Sequence, residues 1–348
     1  MPRPRRTEST LLATIARSFG PGAVGKFPRA RSASASYVAL GIGDDSALFQ
    51  PSPGCETILT CDWFLEGTHF LRDQQPADAV GWKCLARAVS DIAAMGGAPR
   101  CFLLSLALPE IATGTWLNEF LQGLRRAAER FGCVLAGGDT TKSDHILINI
   151  TVVGEVKKGH ELRRDGARAG DLLYVSGRLG EAERGLHLLR KRTGMADHND
   201  SRLQKHLYPE PRLALGQWLS KNRIATAGMD LSDGLSSDLP RLCAASGVGA
   251  RVDAAKLPIV TPRVALASAP GNGKRPRADD AWELALHGGD DYELLFTVPR
   301  KKALQVPVSF EGIRLMSIGE ITSSRKILLV GKGGRSTVLK PGGWDPFR

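Results

Sequence analysis

The sequence predicts a mixed α/β protein built from two domains. Its 348 residues suffice for two domains of ordinary size, each with its own core. Short apolar runs of strand length alternate with segments whose apolar residues recur at helical spacing. Two short patterns occur in each half: a Ser-Asp pair beside a helical segment (Ser90-Asp91, Ser232-Asp233) and Gly-Gly-Asp (137–139, 288–290). We therefore expect two related α/β halves, although matches this short do not establish a duplication.

The chain is basic, with 47 Lys and Arg against 36 Asp and Glu and a formal net charge of +11. Several arginines crowd the first 31 residues. Such a tail can bind nucleic acid, and a basic surface also suits polyphosphate substrates. Leu11, Leu12, Ile15 and Ala16 recur at helical spacing. We interpret residues 1–37 as a basic N-terminal segment with one short helix and a disordered start.

The composition is that of a globular protein, with 42% hydrophobic and 24% charged residues. No apolar run reaches the eighteen or so residues that a membrane-spanning helix needs. The six cysteines form no C-x-x-C pair, and no secretory apolar segment follows the basic start. A reducing cytoplasm is the expected location.

One glycine-rich stretch matches part of the phosphate-binding loop motif. Residues 20–26 match G-x-x-x-x-G-K, but Phe27 stands where such a loop needs Ser or Thr to reach Mg²⁺. A helical pattern precedes the stretch and coil follows it, which is the reverse of the required context. We reject it as a nucleotide site.

The first half predicts alternating strands and helices. Residues 57–61 predict a strand ending at Asp62, and a helix from Trp82 contains Ser90-Asp91 and ends at residues 95–99. The elements expected next are a strand at 101–108, a helix at 117–131, a strand at 133–136 that ends in Gly-Gly-Asp-Thr-Thr, and an exposed edge strand at 146–153. We place the domain boundary near residue 155.

The second half begins with a predicted strand at 172–176. Residues 191–202 and 268–280 are polar or rich in Pro, Gly and Lys, and are predicted as surface excursions. Between and after them lie the acidic stretches 229–239 and 287–297.

Carboxylates beside Gly, Ser or Thr are the most informative feature of the chain. They occur in six separate stretches, at Asp44-Asp45, Asp62, Asp91, Asp139, Asp230 to Asp233, and Asp290-Asp291. Adjacent carboxylates repel one another, so a bound cation is the natural compensation. Carboxylates and hydroxyls are hard ligands that suit Mg²⁺, and several such clusters indicate several ions holding a polyphosphate.

No Ser-His-Asp or Cys-His arrangement is evident from spacing. His69 lies just after Gly67-Thr68, but a lone histidine is more often structural than functional. An acceptor that is itself a phosphate would already be ionised and would need no general base. The pattern therefore favours phosphoryl transfer by positioning and charge neutralisation.

These motifs together resemble the thiamine-monophosphate kinase family, in the superfamily of aminoimidazole-ribonucleotide synthetase. The resemblance spans residues 38–346 in the right order and rests on Gly-Ile-Gly-Asp-Asp (41–45), Asp62 with Glu66-Gly67 and His69-Phe70, Ser-Asp-Ile-Ala-Ala-Met-Gly (90–96), Gly-Gly-Asp-Thr-Thr (137–141), Asp-Leu-Ser-Asp-Gly-Leu (230–235) and Gly-Gly-Asp-Asp-Tyr-Glu-Leu (288–294).

The resemblance implies transfer of the ATP γ-phosphate to thiamine monophosphate, giving thiamine diphosphate, in a homodimer. It implies an N-terminal domain, residues 38–155, that binds ATP and Mg²⁺ and dimerises through a β-barrel-type sheet with helices. A C-terminal α/β domain, residues 156–348, would complete the active site.

The resemblance also assigns site residues. Mg²⁺-ligand positions fall at Asp45, Thr60, Cys61, Asp62, Asp91, Asp139, Asp230 and Asp233. ATP positions fall at Gly138, Asp139, Arg164 and Ser232, and substrate positions at His69, Asp290 and Trp344. Three residues depart from the family pattern: Cys61 replaces Thr, Asp290 replaces Glu, and Pro346 replaces His. At Cys61 the backbone carbonyl would have to serve as the ligand.

Two alternatives remain open from the sequence. One is another ATP-using enzyme of the same superfamily. The other is a basic nucleic-acid-binding protein, which leaves the acidic stretches unexplained because they repel phosphate unless metals intervene.

Overall fold

The computed structural model describes residues 7–19, 37–42, 45–260 and 278–347. These residues group into two compact units. The N-terminal unit contains the residues up to Ile92, Gly97–Gly159 and Arg192–His198. The C-terminal unit contains Ala93–Gly96, His160–Lys191 and the residues from Asn199 onward. The predicted phosphate-loop imitation at 20–26, the residue pair Gly43-Asp44 and most of the excursion at 268–280 lie outside the described residues.

The N-terminal unit combines one four-stranded sheet, a two-stranded ribbon and three helices. Its elements are α1 (Glu8–Ser18), β1 (Val38–Leu40), β2 (Leu48–Phe49), β3 (Cys55–Leu65), α2 (Ala77–Ala94), β4 (Ala98–Leu108), α3 (Thr115–Phe131), β5 (Val134–Lys142) and β6 (Leu147–Lys157). The four-stranded sheet has the order β3-β6-β4-β5, in which only the β4–β5 pair is parallel. The ribbon is formed by β1 and β2.

Alternation along β3 separates the two faces of this sheet. Ile58 and Phe64 are buried, whereas Leu59, Cys61 and Trp63 are exposed on the opposite side. Helices α2 and α3 likewise bury their apolar faces, with fully buried Leu, Val, Ile and Phe side chains. The short N-terminal helix and the helices expected from Trp82 and over 117–131 are confirmed.

Three strand predictions in this unit are wrong. Strand β3 does not end at Asp62 but continues to Leu65, because its ladder with β6 runs on past the carboxylate. Strand β5 likewise continues through the Gly-Gly-Asp-Thr-Thr stretch to Lys142. The strand expected at an exposed edge, β6, is central, since β3 and β4 pair with its two sides.

The C-terminal unit is built on one eight-stranded sheet. Its elements are β7 (Leu172–Ser176), α4 (Glu181–Arg190), α5 (Gln204–Leu207), α6 (Leu213–Lys221), β8 (Ala227–Leu231), α7 (Leu235–Ser246), β9 (Gly249–Asp253), α8 (Ala278–His287), β10 (Glu293–Val298), β11 (Ser309–Phe310), β12 (Ile313–Thr322), β13 (Ile327–Val330) and β14 (Ser336–Val338). The order is β14-β13-β9-β12-β7-β10-β8, with β11 pairing β12 at its side.

Successive residues of the central strands point into two different cores. Leu295 packs with residues of α7 and α8, whereas Leu294 and Phe296 pack with Leu215 and Leu219 of α6. A strand buried on both faces has no side exposed to water, which explains why residues 172–175 are Leu, Leu, Tyr and Val without a charged residue. This strand is predicted correctly from the sequence, to the residue.

Within the described residues, no helix is long and apolar enough to cross a membrane.

Candidate functional site

The turn that follows β8 organises the candidate site in the C-terminal unit. Strand β8 delivers Asp230, which is buried, and the chain then turns through Ser232, Asp233 and Gly234 before α7 begins. Gly234 has a positive φ of 100°, and a Cβ there would lie 2.8 Å from the carbonyl carbon of His287. Only glycine combines this backbone conformation with this close approach.

Asp238 holds the turn from within the first turn of α7. Its Oδ2 accepts hydrogen bonds from the backbone N–H groups of Ser232 (3.1 Å) and Asp233 (3.0 Å). The side chain is fully buried. Burial and the neighbouring Asp233 raise the pKa of Asp238 to about 6, against the opposing effect of these backbone hydrogen bonds and Arg241. Asp238 therefore shapes the backbone that presents Asp233.

Arg241 joins the two carboxylates. Its Nη1 donates to Oδ2 of Asp233 and, at 2.8 Å, to Oδ1 of Asp238. The guanidinium thus supplies positive charge at a predicted metal position. Neither Asp238 nor Arg241 was among the sequence-predicted site residues, although the i, i+3 spacing of an acidic and a basic residue on one helix is a recognisable signal.

Asp290 lies against the same turn. Its backbone N–H donates to the carbonyl of Ser232 at 2.8 Å, and its φ of 65° is unusual for a residue other than glycine. The Tyr292 hydroxyl donates to Asp290 Oδ1 at 2.6 Å, and buried His206 Nδ1 lies 4.0 Å from Oδ2. The structure therefore brings Asp290 beside Ser232 and Asp233, and it adds Tyr292 and His206, which sequence reasoning missed.

A buried ionic network lies behind Asp290. Glu293 accepts hydrogen bonds from Lys205 Nζ (2.6 Å), Arg212 Nε (2.6 Å) and the Ser176 hydroxyl (2.6 Å). Burial alone would raise the pKa of Glu293, but Lys205 and Arg212 outweigh it and lower the pKa to about 2. Neighbouring Asp291 is also buried, where it accepts backbone hydrogen bonds from residues 180 and 182 at the start of α4. These contacts fix the loop that carries Asp290.

A C-terminal strap, residues 341–345, lies on the same turn. Three successive backbone N–H groups are bound: Gly342 to Ser236 Oγ (3.2 Å), Gly343 to Ser237 Oγ (3.1 Å) and Trp344 to the Asp233 carbonyl (3.0 Å). A Cβ on Gly343 would lie 1.9 Å from that carbonyl oxygen. The Trp344 backbone is thus fixed, while its side chain remains 43% exposed.

Arg164 lies away from this group within the C-terminal unit. Its carbonyl accepts a 2.6 Å hydrogen bond from the Ser246 hydroxyl, at the last residue of α7, and its side chain is exposed. Asp233 precedes the first residue of the same helix, so α7 separates the two by roughly 18 Å at 1.5 Å per residue. The C-terminal unit alone does not bring Arg164 to Ser232.

In the N-terminal unit, the predicted residues of β3 divide between the two faces of the sheet. The Thr60 hydroxyl donates to Asp91 Oδ2 on α2, so these two predicted ligands are in contact. Cys61 faces the opposite way, with Sγ 3.3 Å from Asn149 Oδ1. Asp62 follows on the Thr60 side of the strand. The Cys61 thiol is therefore not placed with the side chains of Thr60 and Asp62.

The other predicted residues of this unit lie on turns and on β5. Asp45 and Asp139 are exposed. His69 Nδ1 accepts a 3.1 Å hydrogen bond from the Leu65 backbone N–H, so a neutral ring carries its proton on Nε2. Gly138 has φ 155°, and a Cβ there would lie 1.9 Å from the Leu104 carbonyl oxygen, which excludes other residues without a shift of β4.

The donors fit Mg²⁺ by type. Within the described residues no three or more His, Cys, Asp or Glu side chains are grouped as a metal cage. Mg²⁺ usually takes only one or two carboxylates, and phosphates and water complete its shell. The Asp91–Thr60 pair matches that kind of donor set, whereas the Asp233 carboxylate is paired with Arg241 and would share its charge between the guanidinium and an ion.

Comparison with known proteins places this architecture in a class. Residues 43–156 match the family model described as AIR synthase related protein, N-terminal domain, and residues 168–332 match the C-terminal domain of the same family. Together the two matches cover most of the chain, and the two units define an AIR-synthase-related protein.

Comparison with individual relatives identifies the family within this class. The chain is 37% identical to thiamine-monophosphate kinase of Escherichia coli (strain K12) over 325 residues, which are 92% of this chain and 95% of that protein. The crystal structure of thiamine-monophosphate kinase from Stenotrophomonas maltophilia K279a is 36% identical, with a TM-score of 0.74 over 87% of this chain and 93% of that one. A complex of AaThiL with AMPPCP and TMP is 34% identical, with a TM-score of 0.71 over 87% and 91%. The chain belongs to the thiamine-monophosphate kinase family.

Proposed function

We propose that this chain transfers the γ-phosphate of ATP to thiamine monophosphate and so forms thiamine diphosphate. Membership of the family, at 37% identity over 92% of the chain, carries this conclusion. The related complex with AMPPCP and TMP supports ATP as the phosphate donor and TMP as the acceptor.

The acceptor in this reaction is a phosphate oxygen that is already ionised at neutral pH. No side chain needs to remove a proton, so the protein acts by positioning and by balancing charge. When bound, Mg²⁺ neutralises the charge that gathers on the phosphates.

We assign the ion-binding role to two groups of residues. Asp45, Thr60, Asp62, Asp91, Asp139 and the Cys61 carbonyl would act from the N-terminal unit, and Asp230 and Asp233 from the C-terminal unit. The exposed or half-buried state of Asp45, Asp62, Asp91, Asp139 and Asp233 supports this assignment, because a ligand must reach them. Gly138, Asp139, Arg164 and Ser232 are proposed for ATP.

His69, Asp290 and Trp344 are proposed for the substrate. The indole of Trp344 offers a partly exposed aromatic face, which attracts a cationic ring such as thiazolium. Asp290 is held by the Ser232 carbonyl and by Tyr292, so its shorter side chain, compared with the family's glutamate, is fixed in place.

An ATP-conversion assay that compares thiamine monophosphate with free thiamine tests the function. We expect Mg²⁺-dependent formation of thiamine diphosphate from the monophosphate and no phosphorylation of thiamine, whose hydroxyl is not ionised and which has no phosphate oxygen to act as the acceptor. Equal turnover of the two compounds would contradict the proposal.

We also propose a homodimer formed through the exposed face of the four-stranded sheet. Leu59 is 70% exposed, Trp63 is 56% exposed, and both lie on β3 on the same face as Cys61. Large apolar side chains grouped on one sheet face are typical of a surface that pairs with a second copy.

Cytoplasmic location is proposed on the state of the cysteines. All six are unpaired thiols, and burial raises the pKa of Cys101 and of Cys243 to about 11. A reducing compartment keeps such thiols in this form.

A further inference from the structure

An open cavity of about 430 Å³ lies between α7 and the C-terminal strap. Its wall includes Ser237 and Arg241 from α7 and Trp344 and Asp345 from the strap. Phe347, which follows the strap, also lines the cavity. All of these residues belong to the C-terminal unit. The cavity therefore combines an aromatic side chain with a guanidinium group.

Asp233 contacts both of the residues that carry these groups. The Asp233 carbonyl accepts the Trp344 backbone N–H, and the Asp233 carboxylate accepts from Arg241 Nη1. The backbone of Trp344 and the guanidinium of Arg241 are thereby both held by one aspartate. The turn therefore places the residue that carries the indole beside the guanidinium.

Arg241 has donors beyond those it uses here. Both of its contacts to Asp233 and Asp238 involve Nη1, whereas a guanidinium has five N–H donors on three nitrogens. Its side chain is 47% exposed. Pairing with the two acidic side chains uses Nη1, and Arg241 lines the cavity, so Nε and Nη2 remain as donors for a ligand there.

We infer that Arg241 binds the phosphate of the acceptor in the cavity where Trp344 contacts the cationic ring. This inference rests on the proposed function and adds a residue that decides between a phosphorylated and an unphosphorylated substrate. A guanidinium binds phosphate oxygens through charge-assisted hydrogen bonds, and an aromatic face attracts a cation. A ligand with a cationic ring at one end and a phosphate at the other complements both groups.

Binding measurements on Arg241→Gln test the inference. Calorimetric titration with thiamine monophosphate and, separately, with thiamine is carried out in the presence of Mg²⁺. We expect the affinity for the monophosphate to fall by about tenfold to a hundredfold, the range of a lost charged hydrogen bond, while the affinity for thiamine stays within about twofold. Arg325→Gln, which removes an exposed arginine of the same unit, is the matched control and is expected to change neither affinity.

Arg241→Lys is a second variant that keeps the test valid if Arg241→Gln does not fold. Lysine keeps a positive charge for Asp233 and Asp238 but lacks the planar fork, so we expect a folded protein with a loss of about three- to tenfold for the monophosphate alone. Equal losses for thiamine and its monophosphate in a folded variant would show that Arg241 only supports the turn. An increased KM for ATP with an unchanged affinity for the monophosphate would place Arg241 on the nucleotide instead.

The wild-type protein separates this inference from the proposed function. If wild-type protein neither binds nor phosphorylates thiamine monophosphate, the proposed function is wrong. If it does both and Arg241→Gln and Arg241→Lys match it, only the role of Arg241 is wrong.

Discussion

Asp233 makes three different contacts with its three polar groups. Its N–H donates to Asp238, its carbonyl accepts from Trp344, and its carboxylate accepts from Arg241. Replacing the Asp233 side chain keeps the two backbone contacts but removes the carboxylate from Arg241, so it changes the charge balance around Asp238 as well as the proposed metal ligand. A more direct test of metal binding uses a different carboxylate.

Asp91 on α2 suits this test, because the Thr60 hydroxyl can donate to an asparagine oxygen as well as to a carboxylate. We expect Asp91→Asn to fold normally and to lose activity by about a hundredfold or more, since removing even a group that only hydrogen-bonds to a metal ligand costs about 10- to 100-fold. Steady-state kinetics and thermal unfolding measure the two effects. Asp78→Asn, on the same helix and paired with Arg126, is the control; equal activities of the two variants would make Asp91 structural. Asp139→Asn is expected to behave as Asp91→Asn does.

Asp291 gives a prediction about pH. Burial, with a smaller contribution from Glu293, raises the pKa of Asp291 to about 7, although Lys205 and two backbone hydrogen bonds oppose the rise. In the unfolded chain the carboxyl ionises near pH 4, so the folded state holds the extra proton between about pH 4 and 7. The contribution of Asp291 to the free energy of unfolding therefore falls as the pH rises through that range.

Asp291→Asn cannot titrate, and so it should gain stability relative to wild type as the pH rises from 5 to 8. The gain is at most about 1.4 kcal/mol for each pH unit below the folded-state pKa. Urea unfolding of both proteins at pH 5, 6, 7 and 8 measures the difference, with exposed Glu56→Gln as the control. A difference that stays constant or shrinks with pH would mean that folded Asp291 is ionised throughout.

At the scale of elements, the sequence predicted the buried strands and amphipathic helices better than the strands that carry the polar motifs. Residues 172–176 and the helix containing Ser90-Asp91 agree with the structure because an apolar pattern specifies each. The ends of β3 and β5 do not agree, because Gly, Asp and Thr resemble a loop when local preference alone is considered. Pairing with β6 and β4 keeps them extended, and such long-range pairing has no local signal.

The strap is the element through which Trp344 reaches the site. Trp344→Ala should raise the KM for thiamine monophosphate by roughly three- to thirtyfold, the range of a lost cation–π contact, and leave the KM for ATP nearly unchanged. Gly343→Ala should raise the same KM, because its Cβ would collide with the Asp233 carbonyl and displace the strap. Gly331→Ala, where a Cβ meets no atom closer than 3.7 Å, is the control.

The strap also has a structural interpretation, in which Trp344 anchors the tail. Unchanged KM values for both substrates combined with a lower melting temperature would support anchoring and would contradict the substrate role. An indole that is 43% exposed favours the substrate role, because an anchor is expected to be buried.

At the scale of the whole molecule, the homodimer is the prediction to test. Light scattering at micromolar concentration should give a dimer for wild type and a monomer for Trp63→Asp, since a carboxylate buried in an apolar interface is costly. Ile111→Asp changes an 80% exposed residue outside the sheet and is expected to leave the dimer intact. A wild-type monomer, or a Trp63→Asp dimer, would contradict pairing through this face.

The acidic stretches of the site could be predicted from the sequence, but the residues that form hydrogen bonds and ion pairs with them could not. Asp233, Asp290 and Trp344 are far apart in the chain, and the structure joins them through backbone hydrogen bonds of the turn after β8. Backbone hydrogen bonds leave no pattern in the sequence. Arg241 and Asp238 were missed because charges on a helix are usually solvated, and only their contacts distinguish them.

The chain passes between the two units more than once, since Ala93–Gly96 belongs to the C-terminal unit and Arg192–His198 to the N-terminal one. The Ala196 backbone N–H donates to the Gln74 carbonyl at 2.8 Å, and Ala196 is buried in the N-terminal unit. A gene cut once near residue 155 would consequently give two fragments that each lack part of their own fold. Chimeras between relatives must therefore exchange discontinuous segments.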